Sequence, residues 1–115
     1  HAKDAYRESA AIACDALARG ESVWWVGDLR AAGVYRVPMR QQPGEPGRAD
    51  LLQNPRRGFA AGLTRPDWII FSKPDLYDST GAIAEFIAAA GYRTEAELPA
   101  ITVWRKPGQD ASGRP

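Results

Sequence analysis

The stretch that decides the fold is Ser22-Val23-Trp24-Trp25-Val26-Gly27-Asp28. It is a continuous apolar run of β-branched and aromatic residues, which is typical of a strand covered on both faces of a sheet. Trp24 and Trp25 are adjacent, so their side chains must point to opposite faces. The run therefore predicts a strand with helices packed on both sides.

A helix is predicted before this strand and another directly after it. From Asp4 to Arg19 apolar residues recur every three or four positions, which predicts an amphipathic helix with Asp4 as its N-cap and Gly20 as its stop. Residues Leu29 to Gly33 predict a short second helix. Together the strand, the Gly-Asp turn and the short helix begin a βα unit.

The second half of the chain repeats the pattern. Residues Trp68 to Ser72 are again continuously apolar and predict a second buried strand. The residues from about Ser79 to Ala90 predict a helix that is capped by Asp78 or Ser79 and ends at Gly91.

The period then changes from helical to alternating. Residues 92–98 alternate polar and apolar side chains, which predicts a strand with one solvated face. Residues 101–105 predict its antiparallel partner. Because Pro99-Ala100 is not a favoured two-residue turn, we expect a bulge or a wider loop there.

These elements predict one α/β domain over residues 1–106. The fold class is a small three-layer Rossmann-like sheet in the order α-β-α-β-α-β-β, with a C-terminal antiparallel hairpin. Residues 38–66 are predicted to form a long, basic, Pro/Gly-rich loop, in which only 49–53 could form a turn of helix. Residues 107–115 are predicted to be a flexible tail.

Composition excludes several classes of protein. The 115 residues carry 15 Lys+Arg and 14 Asp+Glu, a net charge of +1, which argues against a globally basic nucleic-acid binder. The single Cys excludes an intrachain disulfide, and one Cys with one His cannot supply a four-ligand zinc site. No phosphate-loop motif occurs, and the sole His, His1, is poorly placed to activate a nucleophile. We therefore expect no metal, no cofactor and no nucleic-acid partner.

The near-neutral total conceals a basic middle. Residues 1–29 carry three basic and five acidic side chains, a net charge of −2. Residues 30–66 carry seven basic and two acidic side chains, a net charge of +5. Residues 67–115 carry five basic and seven acidic side chains, a net charge of −2. Guanidinium groups suit phosphate and sulfate oxygens, so this segment could meet anionic lipid headgroups or a phosphate-bearing ligand. The alternative is a solvated loop in an Arg-rich chain. The candidate residues are Arg36, Arg40, Arg48, Arg56, Arg57 and Arg65.

A second candidate site lies where the two buried strands end. Ligands of open α/β sheets bind beyond the carboxyl ends of the strands. Two carboxylates and a Lys there could act as acid, base and electrophile. The alternative is that the acids only cap helices or stabilise turns. The candidate residues are Asp28, Lys73, Asp75, Tyr77 and Asp78.

Several blocks of the chain resemble a known family. They are Lys3-Asp4-x-Tyr6-Arg7, Gly20-x-x-Val23-Trp24-Trp25 with Asp28, the block Asp67-Trp68-Ile69-Ile70-x-Ser72-Lys73-Pro74-Asp75-Leu76-Tyr77-Asp78, and Leu98-Pro99-Ala100-x-Thr102-Val103-Trp104. This pattern resembles the segment after the last membrane helix in bacterial glycosyltransferases similar to dolichyl-phosphate-mannose–protein mannosyltransferases and aminoarabinose transferases.

The resemblance implies a soluble, non-catalytic domain on the periplasmic face of the bacterial inner membrane, used for acceptor binding, docking or assembly. Its partners would be the membrane-embedded portion of the parent chain and an anionic lipid or polyprenyl-phosphate sugar. The family's catalytic acids lie between membrane helices, so no catalytic residue is assigned here. The chain opens on His1 instead of Met, which we interpret as an excised or processed piece.

Two alternatives remain open. One is a small ligand-binding or enzymatic α/β domain acting on a phosphorylated sugar or nucleotide. The other is a module that binds anionic membrane surfaces.

Overall fold

The architecture is a five-stranded mixed sheet with helices, seen in a computed structural model that describes residues 2–108. The predicted α/β class is confirmed. The helices of this part of the chain are α1 (Ala2–Ala18), α2 (Leu29–Val34), α3 (Pro74–Tyr77) and α4 (Ala82–Ala90). The strands are β1 (Val23–Val26), β2 (Asp50–Leu52), β3 (Trp68–Ser72), β4 (Arg93–Leu98) and β5 (Ile101–Arg105). The predicted tail lies outside the described residues from position 109 onward, as does His1.

The sheet has the strand order β2-β1-β3-β5-β4. β1 pairs in parallel with β2 and with β3, while β5 runs antiparallel to both β3 and β4. The carboxyl ends of the three parallel strands therefore meet at one edge of the sheet. We call this the carboxyl edge; it comprises residues 27–28, 53–54 and 73–78.

Both faces of the sheet are covered. Trp25, Ile70 and Val103 pack against α1 on one face. Trp24 and Ile69 pack with α4 residues on the other. The prediction that the two adjacent tryptophans point to opposite, covered faces is confirmed, because alternate residues of a strand face opposite sides.

Polar contacts fix the amino-terminal ends of β1 and β3. The Asp67 carboxylate accepts hydrogen bonds from Ser22 N at 2.8 Å and from Ser22 Oγ at 3.2 Å. Glu21 accepts a hydrogen bond from Trp68 Nε1 at 2.8 Å. Burial alone would raise the pKa of the Glu21 carboxyl, but the hydrogen bonds from Trp68 and Arg19 outweigh it and lower that pKa.

A close contact joins the carboxyl ends of the same two strands. Ser72 Oγ donates a hydrogen bond to Val26 O at 2.9 Å. A Cβ atom at position 27 would lie only 2.3 Å from Ser72 Oγ. Only glycine fits at Gly27 while Ser72 occupies this position.

The middle of the chain differs from its prediction. The turn of helix expected at 49–53 is wrong, because Asp50–Leu52 forms the strand β2 in parallel with β1. The predicted element order therefore lacked one strand. It also lacked α3, a four-residue helix that begins at Pro74.

The helix ends also differ from their predictions. Asp4 is not an N-cap, since it lies inside the first turn of α1. α4 begins at Ala82 after Gly81, later than Ser79, and it ends at Gly91 as predicted.

Pro99 and Ala100 form the connection between Leu98 and Ile101, which pair directly, and the bulge in this strand pair lies between Thr94 and Ala96.

Candidate functional site

The acids of the carboxyl edge mostly serve the fold. The side chain of Asp28 accepts a hydrogen bond from Arg30 N at 2.9 Å and caps α2. Asp78 is 5% exposed, and its two carboxylate oxygens accept from Ile83 N and Ala84 N, each at 2.9 Å. A carboxylate that satisfies the free N–H groups of a helix start is held in place by them and by the helix dipole. The Asp78 carboxylate therefore already fills the place at the start of α4 where an anionic ligand would bind.

The other predicted residues of this edge are Lys73, Asp75 and Tyr77. Lys73 has φ 39° and ψ 71°, a left-handed conformation that is rare outside glycine, and its N–H donates to Ala100 O at 3.0 Å. Asp75 is exposed in α3. Tyr77 is half-buried and packs against the α4 face. Among the described residues, no hydrogen bond or ion pair ties up the Lys73 ammonium or the Asp75 carboxylate.

Two residues that the sequence analysis did not single out hold this edge together. Gln53 Nε2 donates to Gly27 O at 2.8 Å, which joins the end of β2 to the end of β1. Asn54 Nδ2 donates to Leu76 O, and Asn54 Oδ1 accepts from Ser79 N. The Asn54-Pro55 dipeptide is a turn signal that could have marked this position.

The basic segment is divided among separate places. Arg40 Nε contacts the Asp50 carboxylate at 2.6 Å, and its other nitrogens donate to Glu45 O and Arg48 O. Arg48 contacts the Glu45 carboxylate at 3.4 Å and Met39 O at 3.3 Å. Hydrogen bonds from Gln41 N and Gln42 N lower the pKa of Glu45. These two arginines hold the loop 39–50 in place.

The remaining arginines lie elsewhere. Arg57 pairs with Glu85 of α4 and donates to Thr80 O at 3.1 Å. Arg36 is exposed just after α2, with φ 61°, and Arg65 is exposed just before β3. Arg56 is exposed beside Arg57, and within the described part of the chain its guanidinium has no partner. Three of the six predicted arginines, Arg40, Arg48 and Arg57, are therefore paired with acids of the fold.

Within residues 2–108, the grooves that are open to solvent include the following three. The Phe59 groove, about 370 Å³, lies between α4 and the segment before it and is lined by Gly58, Phe59, Ala60, Ala61, Ala82, Glu85, Phe86 and Ala89. The Leu63 groove, about 390 Å³, adjoins the edge strand β2 and is lined by Trp24, Asp50, Leu51, Leu52, Leu63 and Thr64. A third groove of about 290 Å³ lies between the end of α1 and the loop that holds Arg40.

The remaining reactive side chains have structural surroundings. Cys14 is half-buried, and burial together with Asp15 raises the pKa of its thiol, which disfavours the reactive thiolate. Burial raises the pKa of Tyr92 to about 12, and its hydroxyl donates to Pro66 O at 2.5 Å. Within residues 2–108 there is no cluster of three metal-ligating side chains. No helix in that range is both long and apolar enough to cross a bilayer.

Comparison of the chain with protein-family models, with curated proteins and with solved structures found no significant match.

Proposed function

We propose that this chain is a non-catalytic extracytoplasmic domain of a bacterial membrane glycosyltransferase-like protein. The observation that carries the proposal is the structural use of three of the acids in the resembling blocks. Asp28 caps α2, Asp78 caps α4, and Asp67 joins the starts of β1 and β3 through Ser22. These acids are occupied in the fold, which supports a scaffold for acceptor binding, docking or assembly instead of a catalytic centre.

The partner in this proposal is the membrane-embedded portion of the same parent protein, on the periplasmic face of the inner membrane. That portion would handle the polyprenyl-phosphate sugar. A Rossmann-like relationship with a C-terminal hairpin belongs to the same proposal. It is supported by the three parallel strands in the order β2-β1-β3, by helices on both faces, and by the antiparallel pair β4 and β5.

The parent open reading frame gives the first test. The proposal expects several membrane-spanning segments upstream of residue 1. A short gene with its own initiator Met and no upstream spans would contradict it.

The second test uses the full-length parent. We expect the combined substitution Lys73→Ala and Asp75→Ala to leave sugar transfer within about twofold of wild type, because a general acid or base would contribute about 10²–10⁴-fold. Transfer to the acceptor is measured at saturating donor. A loss of about a hundredfold, with unchanged expression and melting temperature, would show that this edge is catalytic.

A second candidate function is favoured by the strained backbone of Lys73. Non-glycine residues held in the left-handed region cost about 1–3 kcal/mol each and cluster at functional sites. Lys73 holds this conformation at the carboxyl edge with its ammonium free among the described residues. This geometry suits a phosphorylated sugar or nucleotide whose phosphate contacts Lys73.

Lys73→Gly separates the two functions. Glycine adopts this backbone without strain, so the variant should be at least as stable as wild type. If Lys73 holds a phosphate, binding of glucose 1-phosphate or UMP, followed by NMR titration, is lost in the variant. If wild type shows no shifts at millimolar ligand, this candidate is excluded.

A further inference from the structure

The Phe59 groove has one wall made by a tight turn. Phe59 N donates to Arg56 O at 3.1 Å, and Gly58 supplies the positive φ of 81° that the turn requires. The turn places the Phe59 ring 5.6 Å from that of Trp24 and 6.1 Å from that of Phe86, measured between centroids. The wall is therefore anchored on the core of the α4 face.

The floor and the second wall of the groove are apolar. Ala82, Phe86 and Ala89 of α4 face Ala60 and Ala61 across it. Glu85 is the one charged side chain in the lining, and its carboxylate pairs with Arg57. An apolar chain can occupy this groove without leaving a buried charge unpaired.

The same turn begins with two arginines, of which Arg57 pairs with the groove residue Glu85. Arg56 and Arg57 open the turn that ends at Phe59, and against the single Glu85 carboxylate they leave one net positive charge. The Arg57 guanidinium is engaged by Glu85 and Thr80 O, whereas that of Arg56 has no partner within the described residues. An apolar groove beside a free cation is complementary to a molecule with an apolar chain and an anionic head.

We propose that the Phe59 groove binds the monomer of an anionic amphiphile with one alkyl chain. The chain lies between Phe59 and Phe86, and the phosphate or carboxylate head contacts Arg56. The volume of about 370 Å³ is at the small end of the range of about 300–1,000 Å³ for small-molecule sites, which favours one chain over two. The site needs no catalytic group and no parent protein, so it goes beyond the function proposed above.

The experiment is an NMR titration of the chain with dodecyl phosphate below its critical micelle concentration. Amide shifts are expected at residues 58–61 and 82–89, together with a change in tryptophan fluorescence because Trp24 contacts both phenylalanines. Dodecyltrimethylammonium, which has the same chain and the opposite charge, should bind at least about twofold to fivefold more weakly, as expected for one exposed charge pair.

Two pairs of variants test the location. Ala89→Trp fills the groove and should weaken dodecyl phosphate binding by about tenfold or more, whereas Ala88→Trp, on an exposed neighbour outside the lining, should not. Arg56→Ala should weaken binding by about twofold to fivefold, and Arg36→Ala, which removes another exposed arginine, should leave it unchanged.

Several outcomes would overturn the proposal. They include no shifts at residues 58–61 and 82–89, equal binding by Ala89→Trp and Ala88→Trp, equal affinity for the cationic amphiphile, and the same shifts with inorganic phosphate alone. Binding to phosphatidylglycerol vesicles without binding to the monomer would also overturn it, in favour of a membrane-surface contact.

Discussion

The two faces of the sheet are covered in different ways. One face is covered by α1, a 17-residue helix whose small side chains let it lie close to the large rings of the strands. The other is covered by α4, which has nine residues, and by the irregular segment that carries Phe59. On the α4 face, a short helix with a loop beside it leaves the Phe59 groove and the Leu63 groove open.

The side chains on the two faces also differ in size and in burial. The α1 face pairs alanines with the fully buried Trp25, so large and small residues interdigitate. The α4 face contains an aromatic cluster of Trp24, Phe59, Phe86 and Tyr92, in which Phe59 and Phe86 are only half-buried. The partial exposure of these rings leaves apolar surface accessible on that face.

The largest expected effect is a difference in the free energy of unfolding between one variant on each face. Trp25→Ala should lower the free energy of unfolding by about 3–5 kcal/mol, because it leaves a cavity beneath α1. Phe59→Ala should cost only about 1–2 kcal/mol, since its ring is half-buried. Urea denaturation measures both. Equal losses would show that the α4 face is packed as tightly as the α1 face.

The next effect concerns the cap that starts α4. Asp78→Ala should cost about 1–2 kcal/mol, because the N–H groups of Ile83 and Ala84 lose their acceptors. Asp75→Ala, on an exposed carboxylate at the same edge, should change stability by less than about 0.5 kcal/mol. Thermal unfolding at pH 7 measures the stability of both variants. A larger loss of stability for Asp75→Ala than for Asp78→Ala would contradict the assignment of Asp78 as the cap.

The smallest effect is a pH dependence from Tyr92 on the same face. Its pKa is raised from 10.0 to about 12 in the folded chain, so the neutral hydroxyl is favoured by folding. Its contribution to stability is fully present below pH 10 and is lost as the pH rises from 10 to 12. We expect Tyr92→Phe to be less stable than wild type at pH 8 and to lose less stability between pH 10 and 12. Parallel stability–pH curves for the two proteins would exclude this role.

The buried elements were predictable because their signal is local. The apolar runs of β1 and β3 leave no alternative to a strand covered on both sides, and the stop of α4 at Gly91 follows from the left-handed conformation that glycine adopts there. The expected division of Trp24 and Trp25 between two faces follows from strand geometry alone.

The strand β2 was not predictable for the opposite reason. It has three residues, and Asp-Leu-Leu carries no alternation and no β-branched side chain. Its conformation is fixed by parallel pairing with β1, a contact between residues about 26 positions apart.

The location of the candidate site was predictable from the sequence, but the role of its Asp side chains was not. The carboxyl edge was located by the rule for open α/β sheets, yet whether an Asp binds a ligand or caps a helix depends on where its oxygens point. Asp78 reaches past Gly81 to Ile83 and Ala84, a spacing that the sequence does not reveal. The structural use of Arg57 was hidden likewise, because its partner Glu85 lies 28 residues away and outside the predicted loop.

The contact between Gly27 and Ser72 couples two positions that lie 45 residues apart in the chain. A side chain at position 27 would collide with the Ser72 hydroxyl, which in turn is held by Val26 O. A side chain at position 27 therefore requires the Ser72 hydroxyl to leave Val26 O, or position 72 to become alanine or glycine. Among descendants of this sequence, a larger residue at position 27 should accordingly occur together with alanine or glycine at position 72 more often than with serine.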